Sequence, residues 1–168
     1  MKRALTLGLF LIPVGIASCA LGCQQTSEEQ LIHKVKSLQE KLMNEKDSAQ
    51  RGSIMSQYIP LVEKNHDGIV MTNITGDILE ANQAYQDMLE YTLAELRALS
   101  YQQITPQKWH EMEKGMVSDA MNRDYVCFQK EYMRKDGAVF PIEITGWIIK
   151  NASGKAIGTG SVIKQVTQ

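Results

Sequence analysis

Few side chains in this sequence could do chemistry, and they lie far apart. No Ser–His–Asp grouping, carboxylate pair or glycine-rich phosphate loop can be recognised. The cysteines and histidines, which lack zinc-type spacing, are Cys19, Cys23, Cys127, His33, His66 and His110. We therefore predict that the chain is not an enzyme and has no metal site.

The composition is that of one ordinary globular domain. The chain has 168 residues, of which 43% are hydrophobic and 22% charged. Proteins that bind nucleic acid usually carry a basic excess on one face. With 18 basic and 19 acidic residues, a net charge of -1, this chain has no such excess. We therefore expect no nucleic-acid partner.

The first residues have the pattern of an export signal. Two basic residues precede the uncharged apolar stretch "ALTLGLFLIPVGIAS", as in a secretory signal peptide. The sequence "IASC", which ends at Cys19, resembles the lipobox of bacterial lipoproteins, in which the cysteine is acylated after cleavage. Cys23 is an alternative lipidation site, and a retained membrane-spanning helix or a simple cleaved signal are alternatives to lipidation. We expect a membrane-anchored lipoprotein on the extracytoplasmic side of the cell envelope, such as the periplasm, with residues 1–23 as signal.

A charged stretch without proline or glycine, from Ser27 to about Gln50, predicts a helix. Its apolar residues follow coiled-coil spacing over about two heptads, and they are Leu31, Val35, Leu38 and Leu42. This helix could be a stalk that pairs two copies of the chain, or a spacer that lies partly on its own domain. The sequence "RGS" at 51–53 predicts a break. We therefore assign 24–53 to a polar tether and helical stalk.

Residues 54–168 have the pattern of one folded domain. "GIVMTNI" and "ILEAN" predict two strands joined by a turn. Asn82 and Thr92 suit helix N-caps, and Glu95 completes a capping box with Thr92. A longer helix follows Pro106, and three strand-like runs complete the chain. Two strands, several helices and three strands predict an α+β domain with an antiparallel sheet.

These segments together resemble a PAS domain of the sensory-box kind. The resemblance is carried by "GDILEANQAYQDMLEYTLAEL", "TPQKWHEME" and "FQKEYMRKDGAVFPIEITGWIIKNASGKAIGTGSVIKQVT", in that order. It covers about residues 55–168. It implies the PAS fold, a five-stranded antiparallel sheet with helices over one face, preceded here by an N-terminal helix. Such domains often hold a small-molecule pocket between the helices and the sheet.

The implied pocket lies between the helix at 107–122 and the sheet. His110 could donate a hydrogen bond to a ligand there, and an exposed helix position is its alternative. The strand positions share a face by the period of two and form either core or pocket wall, while the hydroxyl of Tyr132 should find a partner. The candidate ligand-binding residues are Trp109, His110, Met112, Met116, Phe128, Tyr132, Ile142 and Ile144.

The resemblance also bears on cofactors and output. By spacing, Glu113 stands where oxygen-sensing haem PAS domains carry their axial histidine. Cys127 lies in a predicted strand, whereas photoactive flavin relatives hold their thiol in a helical motif. Haem or flavin is therefore possible but not favoured, and the cofactor is unknown. Gln165 stands where PAS domains that drive an effector have aspartate, and we expect any signal to pass to a partner chain.

Two main classes of function remain. The first is an extracytoplasmic, membrane-tethered PAS sensor that binds a small apolar or amphiphilic ligand and signals through an envelope partner. The second is a protein–protein interaction or homodimerisation module with a filled core. Such a module would expose apolar residues on its outer sheet face, where Trp147 and Ile149 are candidates by alternation. A haem or flavin redox sensor is a weaker third alternative.

Overall fold

The computed structural model describes residues 27–166, so the predicted export signal and its two cysteines lie outside the described residues. The helices are α1 (Ser27–Asn44), α2 (Ser48–Glu63), α3 (Gln83–Leu89), α4 (Leu93–Leu96) and α5 (His110–Met121), with short 3-10 turns at Tyr101–Ile104 and Gln107–Trp109. The strands are β1 (Gly68–Asn73), β2 (Ile78–Ala81), β3 (Val126–Met133), β4 (Val139–Lys150) and β5 (Ala156–Gln165). This order confirms the predicted α+β class. Within the described range, no helix combines the length and apolar character needed to span a bilayer.

The five strands form one antiparallel sheet in the order β2-β1-β5-β4-β3. The first strand lies beside the last, with Gly68 opposite Ile163. The predicted hairpin of β3 and β4 is present, with Val126 opposite Gly146. Its turn contains Gly137 at a φ of 90°, in the left-handed region that glycine enters without steric cost. The predicted five-stranded sheet is thus confirmed.

Helices α3, α4 and α5 cover one face of the sheet, which we call the inner face. Both predicted N-caps are confirmed. Oδ1 of Asn82 accepts a hydrogen bond from the backbone of Tyr85 at 3.1 Å, and Thr92 forms the capping box with Glu95. The fully buried apolar side chains of this layer include Val70, Ile78, Tyr85, Leu89, Leu96, Ile104, Ile142 and Ile163.

Helices α1 and α2 cover the opposite face, which we call the outer face. The apolar stripe of α1 lies on the sheet, so the structure shows the second of the two arrangements considered for this helix, a spacer packed on its own domain. The buried side chains here include Ile32, Val35, Leu38, Leu42, Tyr58, Val62, Ile69, Met71 and Val162. Trp147 and Ile149 were the candidates for exposed apolar residues on this face in an interaction module, and neither is exposed. They are 1% and 0% exposed, because α1 and α2 cover them.

The break between the first two helices lies at Glu45–Asp47 and not at 51–53. Oδ1 of Asp47 accepts hydrogen bonds from the backbone N–H groups of Ala49 and Gln50 at 3.0 and 2.9 Å, which caps α2. An aspartate N-cap of this kind starts a helix effectively. The predicted break sequence therefore lies inside α2, with Gly52 at an open position where nothing would contact an added Cβ atom within 4 Å.

A buried polar network holds α1 to the outer face. Gln39 is 0% exposed. Its Oε1 accepts a hydrogen bond from Nε1 of Trp147 at 3.1 Å, and its Nε2 donates to the hydroxyl of Tyr58 at 3.0 Å. Burial raises the pKa of Tyr58 to about 12. Gly160 of β5 lies directly beneath, where a Cβ atom would collide with Gln39 and Trp147. Glycine at this position is what lets α1 approach the sheet so closely.

Candidate functional site

A cavity of about 70 Å³ lies between α5 and the inner face of the sheet. Alternation along β3 and β4 brings every second side chain to this wall, and α5 supplies the roof. The apolar part of the lining includes Val70, Met116, Val117, Ala120, Val126, Phe128, Ile144 and Ile148. The polar part includes Thr72, Tyr101, Glu113, Lys130, Tyr132, Thr159 and Ser161. The cavity is thus an apolar space with a small number of polar groups, as binding sites for small molecules usually are.

A buried ion pair joins the roof of the cavity to its wall. Nζ of Lys130 on β3 donates to Oε1 of Glu113 on α5, and it also donates to Oγ1 of Thr105 at 2.8 Å. The side chains of Lys130 and Glu113 are 1% and 7% exposed. Nζ also lies 4.4 Å from the ring centroid of Tyr132 and 5.7 Å from that of Tyr101, within the range of a cation–π interaction. Lys130 therefore has interaction partners on several sides.

Burial shifts the proton affinity of the groups around this pair. Removal from water lowers the pKa of Lys130 to about 8, against the opposing effect of the Glu113 charge. Burial likewise raises the pKa of Tyr132 well above its ordinary value, with Tyr85 close by as a second cause. The two tyrosine rings meet edge to face with centroids 6.1 Å apart. The ammonium group of Lys130 is therefore held in a site that disfavours its charge.

The second carboxylate oxygen of Glu113 has no hydrogen-bond partner. Oε2 is buried, and nothing in residues 27–166 donates to it. Buried polar atoms are nearly always satisfied in native proteins, and an orphaned one calls for an explanation. Since Glu113 also lines the cavity, the cavity is the place from which a donor could reach this oxygen.

The structure brings half of the predicted pocket residues together. Met116, Phe128, Tyr132 and Ile144 line the cavity. Ile142 is fully buried in the inner core, beside the other apolar strand residues. Met112, on α5, is half-buried and lies outside the cavity wall. Ile142 and Met112 therefore do not line this cavity, although their sequence neighbours Ile144 and Glu113 do.

Trp109 and His110 also lie outside the cavity wall, and both have other partners. Nε1 of Trp109 donates to Oε2 of Glu131 at 3.0 Å. Nε2 of His110 lies 3.0 Å from the carbonyl oxygen of Thr105 and 3.2 Å from that of Gln102. This ring nitrogen connects the start of α5 to the preceding loop. Neither side chain is therefore placed to contact a ligand in the cavity.

Sequence reasoning missed the two charged residues of the cavity, although a signal for one was present. Lys130 stands between Phe128 and Tyr132 at the period of two, so a charged residue occurs on a face that is otherwise buried. Lysine is seldom fully buried without a partner. The partner, Glu113, lies three residues before Met116 on the helix. A buried lysine on a strand could thus have prompted a search for an acidic residue on the inward face of α5.

The described residues do not fit haem or flavin. Glu113, at the position matched to the axial histidine, is held by Lys130. Cys127 lies on the exposed side of β3, with Sγ 3.4 Å from Oγ1 of Thr145, so its thiol faces away from the cavity. A cavity of about 70 Å³ is also well below the roughly 300–1,000 Å³ of sites for larger ligands. Within residues 27–166, no three metal-ligating side chains cluster in a way that could hold an ion.

Comparison with known proteins gives one family and one fold. A family model of the PAS domain matches residues 66–168. The comparison with curated proteins finds no significant match. A PAS domain from Colwellia psychrerythraea has a TM-score of 0.62 at 18% identity, over 68% of this chain and 98% of that one.

Two further solved structures agree. The PAS domain of an HTR-like protein from Haloarcula marismortui has a TM-score of 0.57 at 18% identity, over 70% of this chain and 96% of that one. A domain of a sensory box sensor histidine kinase/response regulator from Geobacter sulfurreducens has a TM-score of 0.52 at 17% identity, over 69% and 96%. At these identities the likeness concerns the fold. The family model and the shared architecture together establish that the chain belongs to the PAS domain family, whose members are sensory and signalling modules and are generally not enzymes.

Proposed function

We propose that this chain is a sensory PAS module that binds a small amphiphilic ligand in the cavity between α5 and the sheet, and that signals through a partner chain. The observation that carries the proposal is the buried pair of Lys130 and Glu113 at the cavity. Oε2 of Glu113 has no hydrogen-bond partner in the described part of the chain. PAS domains often bind ligands and often dimerise or signal to partners.

The free-energy balance of the ion pair favours a role in ligand binding over a role in stabilising the fold. Replacing a buried ion pair by well-packed apolar residues is often neutral or stabilising, because both charges lose their hydration. The attraction between Lys130 and Glu113 therefore adds little to the stability of the fold, because it is offset by the cost of removing both charges from water. Titratable groups with strongly shifted pKa values cluster at functional sites. The lowered pKa of Lys130 supports this interpretation together with the geometry.

The cavity volume suits a small ligand. This volume of about 70 Å³ is about half of the ~150 Å³ of an engineered apolar cavity that binds benzene. A single buried water needs roughly 10–15 Å³ by a comparable measure. We therefore propose a ligand that is larger than one water molecule and has only a few non-hydrogen atoms.

A fragment screen by protein-detected NMR tests this proposal. The full chain, labelled with ¹⁵N, is titrated with a panel of small neutral organic compounds. We expect shifts that saturate and that cluster at the amides of α5, β3 and β4 around Met116, Phe128 and Ile144. Met116→Trp serves as the control, because the larger side chain fills the cavity and both residues of the ion pair are retained. Absence of saturable shifts at these amides, or shifts that persist in Met116→Trp, would contradict the proposal.

We also propose that the module is tethered to the membrane on the extracytoplasmic side through Cys19. The support is the sequence pattern of residues 1–23 alone. Cell fractionation of Cys19→Ser tests the proposal, with Cys23→Ser as the matched control. We expect the first variant to leave the membrane fraction and the second to stay in it. The reverse result would assign the anchor to Cys23, and membrane attachment of the double variant would indicate a retained helix.

A further inference from the structure

We infer that the cavity takes a neutral hydrogen-bond donor on a short apolar body, such as a small aliphatic alcohol, and that Oε2 of Glu113 is the atom that accepts its hydrogen bond. This inference rests on the proposed function, because it specifies the class of ligand for the same cavity.

The donor requirement follows from the unmet capacity of the ion pair. A carboxylate only accepts hydrogen bonds, and one oxygen of Glu113 already accepts from Lys130. Its other oxygen is buried and has no donor among residues 27–166. By contrast, the ammonium group of Lys130 has Glu113, Thr105 and the ring of Tyr132 as partners. The ion pair therefore lacks a donor and not an acceptor.

The neutral charge follows from the balance inside the cavity. Lys130 and Glu113 neutralise each other, and both are almost fully buried. A charged ligand would place an additional charge in this low-dielectric space without a counter-charge, which costs far more than a hydrogen bond returns. A ligand that carries an O–H or neutral N–H group avoids that cost.

The apolar body follows from the rest of the lining. Phe128, Ile144, Ile148 and Val117 surround the remaining space, and contact with them favours carbon over polar atoms. Water alone could donate to Oε2, but it would leave this apolar wall without a partner. A short carbon chain with one donor group satisfies both parts of the cavity.

Three probes with the same carbon skeleton test the inference. They are 2-propanol, acetone and isopropylammonium, which present a neutral donor, an acceptor without a donor, and a charged donor. The full chain is titrated with each at pH 7, and the dissociation constant is read from the amide shifts of Glu113, Phe128 and Ile144. A hydrogen bond to a charged group contributes about 1.5–3 kcal/mol, so we expect 2-propanol to bind at least about tenfold more tightly than acetone. We expect isopropylammonium to be weaker than 2-propanol as well.

In the variant Glu113→Gln, a hydrogen-bond donor takes the place of the unpartnered carboxylate oxygen. Its amide oxygen can still accept from Lys130, while its NH₂ group then replaces Oε2. We expect the preference to change from 2-propanol to acetone in this variant. If Glu113→Gln does not fold, the comparison of the three probes in the wild-type chain and in Met116→Trp still decides the question.

The outcomes separate this inference from the proposed function. Equal binding of 2-propanol and acetone, or tighter binding of acetone or isopropylammonium, would overturn the donor inference and leave a ligand-binding cavity in place. Failure of all three probes, while other fragments shift the cavity amides, would have the same meaning. Failure of every compound would overturn the proposed function together with the inference.

Discussion

The two faces of the sheet both bury polar side chains, and they do so in opposite ways. On the outer face, both ends of the Gln39 amide have protein partners, and Gly160 lets α1 approach closely. On the inner face, Glu113 and Lys130 lie at a cavity, and one carboxylate oxygen has no partner in the described chain. A satisfied polar group in a tightly packed interface fixes one geometry. An unsatisfied one beside open space indicates a site for a ligand.

The largest expected effect tests whether the outer interface is structural. Trp147→Ala should lower the free energy of unfolding by about 3–5 kcal/mol, because it opens a large cavity and removes the donor to Gln39. Urea denaturation measures this change. Trp109→Ala is the matched control, since Trp109 is half-buried at the edge of the inner layer, and it should cost far less. If the two substitutions lowered the free energy of unfolding equally, the outer interface would not be the more tightly packed of the two.

The second effect tests the close approach of α1. Gly160→Ala should destabilise the fold by about 1–3 kcal/mol, because the added methyl group collides with Gln39 and Trp147. Gly52→Ala, at an open position within α2, should instead stabilise it by roughly 0.5–1 kcal/mol. Thermal denaturation of the two variants gives the sign of each change. A stabilising Gly160→Ala would mean that α1 is not held against β5 in solution.

A third effect concerns the inner face and appears in alkaline solution. The folded-state pKa of Lys130 is lowered to about 8 from 10.5, so between these values the unfolded chain binds more protons than the folded chain. The stability of the wild type should therefore rise with pH in this window, relative to the double variant Lys130→Met/Glu113→Leu, on the order of 1 kcal/mol per pH unit. Urea midpoints between pH 7 and 10 measure the difference. Parallel pH profiles would show that the pKa of Lys130 is not lowered in the folded chain.

The smallest expected effect is that of the same double variant at pH 7. Its free energy of unfolding should lie within about 1 kcal/mol of the wild-type value or above it, because an apolar pair avoids the cost of burying two charges. The variant should also lose the preference for 2-propanol over acetone. A loss of several kcal/mol would instead assign the ion pair a structural role, like that of Gln39 on the outer face.

Much of the inner layer could be predicted from the sequence, because its signals are local. The caps at Asn82 and Thr92 and the glycine turn of the hairpin depend on neighbouring residues. The alternation along β3 and β4 placed Phe128, Tyr132 and Ile144 on the inward face for the same reason. Family resemblance then supplied the joining of all five strands in one sheet, which no local pattern contains.

The packing partner of α1 and the inward face of α5 could not be predicted from local sequence patterns. The apolar stripe of α1 shows that the helix packs against something, but the same spacing suits a second helix or a sheet. The apolar residues Trp109 and Met112 were assigned to the pocket together with Met116, whereas Glu113 was not, because its side chain is charged. The true inward positions include Glu113, Met116, Val117 and Ala120, at helical spacing. Glu113 is buried although glutamate is usually exposed. The reason is its ion pair with Lys130, which is distant in the sequence.

The strand order has a consequence for how the chain is made. The surface on which α1 and α2 lie is built from β1, β4 and β5. Strand β1 pairs with β5, which is the last of the five strands in the sequence. During synthesis these two helices are made before all five strands, yet the surface that they cover is complete only after β5 has emerged. Until then the apolar stripe of α1 is open to solvent and to other chains. Packing of α1 and α2 on the sheet therefore requires β5, and a chain cut short before β5 should aggregate or require a chaperone.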